Sequence, residues 1–118
     1  MKYDALFTPF KIGNMEVKNR FVMAPMGTNS SHIDGCIAND EIDYFEARAK
    51  GGVGLIIMGC QFLNPDLAQG SLEGVLQNSY VIPQLTTVVE ATHRWGAKIC
   101  CQISCGTGRN AFPNMYGE

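Results

Sequence analysis

"NRFVMAPMG" (residues 19–27) begins as an almost continuous apolar run and then stops on a proline and a glycine. Runs of this kind are typical of strands that are buried on both faces of a parallel sheet. The small residues at its end leave backbone amides and carbonyls accessible, and Pro25 adds a flat apolar surface without an N–H donor. The stretch therefore predicts a buried strand whose carboxyl end either contacts a planar ligand or simply terminates.

Two further apolar runs repeat this arrangement. "VGLIIM" (residues 53–58) ends at Gly59 and Cys60, and "AKICCQIS" (residues 97–104) carries Gln102 near its end. Both runs predict buried strands that finish in residues suited to close approach. The Gln102 amide has a donor and an acceptor, so it can bind the edge of a pyrimidine ring or bond a neighbouring strand.

Helix signals lie between the three predicted strands. The first predicted helix has Asn39 as its N-cap and ends at Gly51 and Gly52. The second has Pro83 in its first turn and ends at Gly96. Asp40 and Glu41 would favour the positive end of the first helix. The alternation of strand and helix predicts an α/β fold with a parallel sheet, in which ligands bind at the carboxyl ends of the strands.

Length and composition predict a single folded domain without a membrane or nucleic-acid partner. Of the 118 residues 46% are hydrophobic and 17% charged, which is the balance of a globular protein. The net charge of -2 argues against a cationic surface for nucleic acid. The longest apolar run is far shorter than the roughly 20 residues that cross a bilayer, and the charged N-terminus does not resemble a signal peptide. A cytoplasmic location is the resulting expectation.

The side chains offer few candidates for catalysis. The odd number of cysteines and the missing secretion signal predict free thiols, and their spacing predicts no metal site; they are Cys36, Cys60, Cys100, Cys101 and Cys105. His32 follows the first strand, where it could contact a substrate. No pair of carboxylates is placed for general acid/base chemistry, so the catalytic residues stay unknown.

Three stretches together resemble the N-terminal part of the old yellow enzyme family, in its NADH:flavin oxidoreductase, 2-enoate reductase and 2,4-dienoyl-CoA reductase branch. They are "LFTPFKIGNMEVKNRFVMAPMGT", "DYFEARAKGGVGLIIM" and "AKICCQISCGTGR". The resemblance implies that residues 1–118 form the N-terminal part of a single FMN-binding (β/α)8 TIM barrel, with about three strands and two helices. The predicted hairpin, which turns at Gly13 and Asn14, would belong to a lid formed by residues 1–19.

The resemblance also implies a set of flavin contacts. Ala24, Pro25, Met26 and Gly27 would line the isoalloxazine ring, Cys60 would occupy a small-residue position, and Gln102 would bond the pyrimidine edge. Relatives often place a threonine, cysteine or histidine where this chain has Gly27, which leaves the backbone amide at that point. No metal ligand is implied within the chain.

The implied activity is that of an ene reductase. FMN would be reduced by NADH or NADPH and would pass hydride to the β-carbon of an α,β-unsaturated carbonyl or enoyl substrate. The groups that hold the substrate and donate the proton would lie beyond Glu118, and a longer parent could carry FAD and an iron-sulfur cluster. The alternative is a non-catalytic, truncated half-barrel that only assembles with other copies. We expect a homo-oligomer, because a truncated sheet would expose apolar edges.

Overall fold

The computed structural model describes residues 3–68 and 71–106. In chain order its elements are α1 (Asp4–Phe7), β1 (Phe10–Ile12), β2 (Met15–Val17), β3 (Val22–Met23), α2 (Asn39–Lys50), β4 (Leu55–Phe62), α3 (Pro65–Ala68), α4 (Val81–His93) and β5 (Lys98–Ser104). Strands β1 and β2 pair antiparallel, and β3, β4 and β5 form a parallel sheet in that order. The predicted parallel sheet is confirmed. The last residues of the "AKICCQISCGTGR" stretch lie outside the described residues.

The hairpin forms where the sequence predicts it. Gly13 adopts φ +58°, the left-handed conformation that a two-residue hairpin turn needs. The short helix α1, which the sequence did not indicate, precedes it, and the Phe7 and Phe21 rings pack with centroids 5.3 Å apart. Lys18 Nζ then donates to the Trp95 carbonyl at 2.6 Å, just beyond the end of α4. The hairpin segment is thereby held at the amino end of the parallel sheet; its closing of a barrel stays a prediction.

Helices α2 and α4 lie side by side on one face of the parallel sheet. Their apolar stripes meet the central strand in a buried cluster that includes Phe45, Ile56, Met58 and Val88. The Glu46 carboxylate accepts a hydrogen bond from the Trp95 indole at 3.0 Å, which ties the two helices together at their edge. No helix in the described part of the chain is long and apolar enough to cross a membrane.

The helix ends differ in detail from the sequence signals. Asn39 is the first residue of α2 rather than its cap, and the N-cap residue Ala38 makes no side-chain hydrogen bond. The N-terminus of α2 therefore depends on its acidic first turn and its packing rather than on a side-chain cap. Gly51 ends the helix and Gly52 leaves it at φ +105°, as predicted. Pro83 lies in the first turn of α4, which begins at Val81.

The outer strands are less buried than their sequences predict. Strand β3 has only two residues, with Val22 47% exposed, and Ile103 of β5 is 62% exposed. Each lies at an edge of the described sheet, and the helices cover only one face. An apolar run therefore predicted the strands correctly but not their burial, which depends on neighbours. Strand β4 continues past Gly59 and Cys60 to Phe62, four residues beyond the predicted end of the apolar run.

Candidate functional site

The carboxyl ends of the three parallel strands meet at one edge of the sheet. Cys60 of β4 stands opposite Gln102 of β5 in the strand register, just after an irregularity between Ile57 and Cys60. The backbone that follows β3 reaches the same level, because the Met26 carbonyl lies against Gly59, the residue before Cys60. The structure thus brings together Met26, Cys60 and Gln102, as the sequence predicted.

Gly59 is small because the chain itself occupies the space above it. A Cβ atom at Gly59 would lie 2.5 Å from the Met26 carbonyl oxygen and 3.0 Å from the Gly27 Cα atom. These contacts are with backbone atoms, which cannot rotate away as a flexible side chain would. The sequence predicted close approach at Gly59, and the partner in the structure is the segment formed by residues 26 and 27.

The predicted contact residues are open to a ligand. Residues 24–27 are all exposed, and Met26 has 58% of its surface accessible. Gln102 is also exposed, although the sequence predicted a buried strand at this position. No hydrogen bond joins its side chain to another described residue. Both polar atoms of the amide are therefore accessible for a ligand at this edge.

Gly27 packs against a buried carboxylate that the sequence gave no reason to expect. A Cβ atom at Gly27 would lie 2.5 Å from Glu73 Oε1, although Glu73 is 46 residues further along the chain in the loop before α4. Glu73 is only 7% exposed, and its Oε2 atom has no hydrogen-bond partner among the described residues. Glutamates in loops are usually solvated, and only the fold brings Glu73 against the 26–27 segment.

Asn29 connects the loop after β3 to the loop that carries Glu73. Its backbone N–H donates to Glu73 Oε1 at 2.8 Å, and its side-chain oxygen accepts from the Leu72 N–H at 2.6 Å. The Ser31 N–H donates to the Leu72 carbonyl at 2.8 Å. Asn29 has φ +51° and is the single non-glycine residue with positive φ in the described part of the chain. Asparagine tolerates this conformation better than most residues.

A second buried carboxylate lies close to the first. Glu41, in the first turn of α2, is 1% exposed and accepts a hydrogen bond from the Ser31 hydroxyl at 2.7 Å. Burial raises the pKa of Glu41, the Ser31 hydroxyl opposes that rise, and the nearby charge of Glu73 adds to it. The sequence assigned Glu41 to the positive end of the helix; the structure places its side chain inside the molecule.

A cavity of about 320 Å³ adjoins these loops on the side of Glu73. It is lined by His32, Ile33, Asp34, Gly35, Pro65, Ala68, Ser71, Glu73 and Val75, and by none of the predicted flavin contacts. The Cys36 backbone N–H, which donates to Asp34 at 3.0 Å, is the main cause that lowers the pKa of Asp34. Because His32 lines the same cavity as Glu73, which contacts Gly27, it lies near the strand-end edge. Its contact with a substrate stays a prediction.

The cysteines carry free thiols. All five are unpaired, and Cys100, Cys101 and Cys105 are exposed. Although much of Cys101 is exposed, partial desolvation of its sulfur raises the pKa of the thiol, which favours its neutral form. In residues 3–68 and 71–106 no group of three or more histidine, cysteine or acidic residues is placed to hold a metal ion.

Comparison with known proteins gives matches over nearly the whole chain. Residues 5–116 match the family described as NADH:flavin oxidoreductase / NADH oxidase. Cinnamate reductase of Clostridium sporogenes is 34% identical over 122 residues, which cover 99% of this chain and 18% of that enzyme. The NADH oxidase of Thermoanaerobacter brockii is 39% identical over 116 residues, 96% of this chain and 17% of that enzyme. The chain thus spans less than a fifth of the length of these two relatives.

Solved structures give the same result in three dimensions. A complex of 2-naphthoyl-CoA reductase with 2-naphthoyl-CoA has a TM-score of 0.85 and 32% identity, covering 97% of this chain and 17% of that one. The Old Yellow Enzyme from Pichia sp. has a TM-score of 0.81 and 27% identity, covering 91% of this chain and 28% of that one. The fold of this chain is therefore shared with parts of these proteins.

Proposed function

Because the chain belongs to the NADH:flavin oxidoreductase / NADH oxidase family, we propose that it forms the flavin-contacting part of an FMN-dependent ene reductase. Its fold is the N-terminal portion of the (β/α)8 barrel of the old yellow enzymes. The chain is similar to less than a third of each of these two structures, so the activity proposed is that of the whole enzyme to which such a portion belongs.

The observation that carries the proposal is the meeting of three strand ends around accessible polar groups. Cys60 and Gln102 are register partners, and the 26–27 segment packs on the neighbouring Gly59. An exposed apolar segment beside an exposed amide is suited to a flat, largely apolar ring with a polar edge. The isoalloxazine ring of FMN has this shape and carries donors and acceptors on its pyrimidine edge. The residues present therefore fit the group.

Each predicted contact has a distinct task in this proposal. Ala24, Pro25 and Met26 would form an apolar surface under the ring, and Gly27 would offer its backbone N–H. Gln102 would fix the orientation of the pyrimidine edge through its amide, and Cys60 would leave space between the two. FMN held by these residues would supply the hydride-transfer chemistry that links NADH or NADPH to the β-carbon of an activated alkene. The protein's part is to orient the ring and to exclude water from its lower face.

The names of the relatives suggest the substrate class. Cinnamate reductase and 2-naphthoyl-CoA reductase are named for an unsaturated acid and an aromatic thioester. Cinnamate and 2-naphthoyl-CoA each have a carbonyl group conjugated to unsaturated carbon. We therefore propose an α,β-unsaturated carbonyl or enoyl compound as the substrate.

The test begins with the protein purified at its native length. We expect a yellow protein with the absorbance of oxidised flavin, and the flavin released by heat should be FMN by mass. Anaerobic addition of NADH or NADPH should bleach the absorbance, and cinnamate or an enoyl thioester should restore it. A colourless protein that does not bind added FMN would refute the proposal.

One observation favours the alternative of a non-catalytic half-barrel that associates with other copies. Both edge strands of the described sheet expose apolar side chains, and unpaired strand edges promote association. The two candidates differ in the flavin test, since the half-barrel would carry no reducible flavin. Cytoplasmic location, a homo-oligomeric state and the presence of FAD or an iron-sulfur cluster in a longer protein stay predictions.

A further inference from the structure

We propose that Glu73 is a positioning residue that holds the 26–27 segment in place against β4. The inference rests on the proposed function only in assigning that segment to the flavin. The way in which Glu73 holds the segment is a property of the chain itself, and it can be measured without the cofactor.

The first support is the direct contact between the carboxylate and the segment. Glu73 Oε1 fills the space in which a side chain at Gly27 would begin, and its distance to that Cβ position is 2.5 Å. The Met26 carbonyl in turn lies against Gly59 of β4. The segment therefore contacts both a strand and a buried carboxylate, so its position depends on both.

The second support is the hydrogen bond that fixes the carboxylate. Glu73 Oε1 accepts from the Asn29 N–H at 2.8 Å, two residues beyond Gly27. Asn29 is held in the left-handed conformation and is bonded by its side chain to the Leu72 N–H. A strained backbone persists only where its surroundings determine it, and here the loop of Glu73 supplies the partners.

The third support is that no cationic side chain in the described part of the chain pairs with Glu73. Within the described residues it forms no ion pair, and the nearby carboxyl of Glu41 bonds to Ser31 instead. Glu73 Oε1 accepts its hydrogen bond from the Asn29 N–H. Removal of the carboxylate would leave this N–H without an acceptor, which would destabilise the loop. An apolar residue of similar size would fill the space but could not accept this hydrogen bond.

The experiment compares Glu73→Leu, Glu73→Gln and Glu73→Asp in the protein at its native length. Amide hydrogen exchange of residues 27–31 is measured without flavin, and FMN affinity and the visible flavin spectrum are measured by titration. Loss of a hydrogen bond to a charged group corresponds to about a ten- to hundredfold change. In Glu73→Leu we expect exchange at Asn29 and the dissociation constant for FMN each to rise about tenfold or more.

Glu73→Gln retains an oxygen acceptor of the same length, so it should restore exchange and FMN affinity to within about threefold of the parent. Glu73→Asp keeps the charge but withdraws it by one methylene, and intermediate values are expected. Glu90→Ala, on the exposed face of α4, is the control and should change none of these quantities.

The outcomes separate this inference from the proposed function. Unchanged exchange at residues 27–31 in Glu73→Leu, with β4 still protected, would overturn the inference even if the protein binds FMN. Faster exchange in a protein that never binds flavin would support the inference and refute the proposed function. If Glu73→Leu does not fold, the Asp variant decides, and parent-like exchange and FMN affinity in that variant would overturn the inference.

Discussion

Replacement of Gly59 by alanine is expected to move the 26–27 segment and weaken flavin binding. The added Cβ would lie 2.5 Å from the Met26 carbonyl oxygen and 2.9 Å from its carbonyl carbon, roughly 1 Å closer than ordinary van der Waals contact. Gly59 is not among the glycines with positive φ, so the backbone itself accepts alanine. The effect should therefore be purely steric.

The expected cost follows from the kind of atom that must yield. Overpacking against a well-packed neighbour typically costs about 1–3 kcal/mol of stability. If the segment yields instead and the same cost falls on flavin binding, FMN affinity should fall by about ten- to hundredfold. The free energy of unfolding in urea and the dissociation constant for FMN, measured by quenching of flavin fluorescence, together report which occurs.

Gly51→Ala is the matched control for this variant. Its Cβ would meet only carbonyl oxygens of its own helix end, at 3.3 and 3.4 Å, on the far side of the molecule from the strand ends. We expect both measured quantities to stay close to the parent values. If Gly59→Ala also left stability and FMN affinity unchanged, the packing of the 26–27 segment on β4 would not be a determinant of the site.

Three further predictions follow from single side chains. The pKa of Glu41 is raised in the folded state, so the free energy of unfolding should fall as pH rises from the ordinary glutamate range through the raised value. In Glu41→Gln, urea unfolding between about pH 4 and 8 should no longer show this dependence, and the variant should be more stable than the parent at neutral pH. Gln102→Ala should weaken FMN binding about tenfold and leave the unfolding free energy within about 0.5 kcal/mol, because the side chain is exposed; the reverse pattern would indicate a structural role. Ile103→Lys, at an exposed edge, should reduce self-association of the 118-residue polypeptide in light scattering, and unchanged association would exclude this edge as the contact.

The order of elements and the meeting of the strand ends could be predicted because both follow from local patterns. Apolar runs identified the parallel strands. Gly51 and Gly52 marked the end of α2, and Gly96 lies three residues beyond the last residue of α4, His93. Parallel strands joined by helices must bring their carboxyl ends to one edge, so the proximity of Cys60 and Gln102 needed no further information.

Burial could not be predicted in the same way. The sequence of β3 is as apolar as that of β4, yet Val22 is half exposed while Ile56 is fully buried. The difference lies in the neighbours: β4 is the central strand under two helices, and β3 is an edge. A run of apolar residues indicates that a strand can be buried. Whether it is buried depends on the strands and helices that pack against it.

The acidic pair escaped sequence reasoning for a related reason. Glu41 and Glu73 lie in a helix start and a polar loop, which are the places where solvated carboxylates are common. The sequence offered a signal only when two residues are taken together: Gly27 lacks a side chain, and Asn29 is a residue type that tolerates positive φ. Those two residues indicated a tightly held backbone, but not the element that holds it.

The glycines at the strand ends therefore allow close packing between segments of the chain, and this packing in turn positions the groups that would contact a ligand. Gly59 admits the backbone of Met26, and Gly27 admits the carboxylate of Glu73, so the small residues bring three chain segments into contact. The atoms left exposed by this packing are the side chains of Met26 and Gln102 and the backbone of residues 24–27. A surface fixed from below by close contacts loses little conformational freedom when a flat ring binds to it. For this reason we expect flavin affinity to be more sensitive to Gly59 and Glu73, which support the surface, than to the size of any one exposed side chain on it.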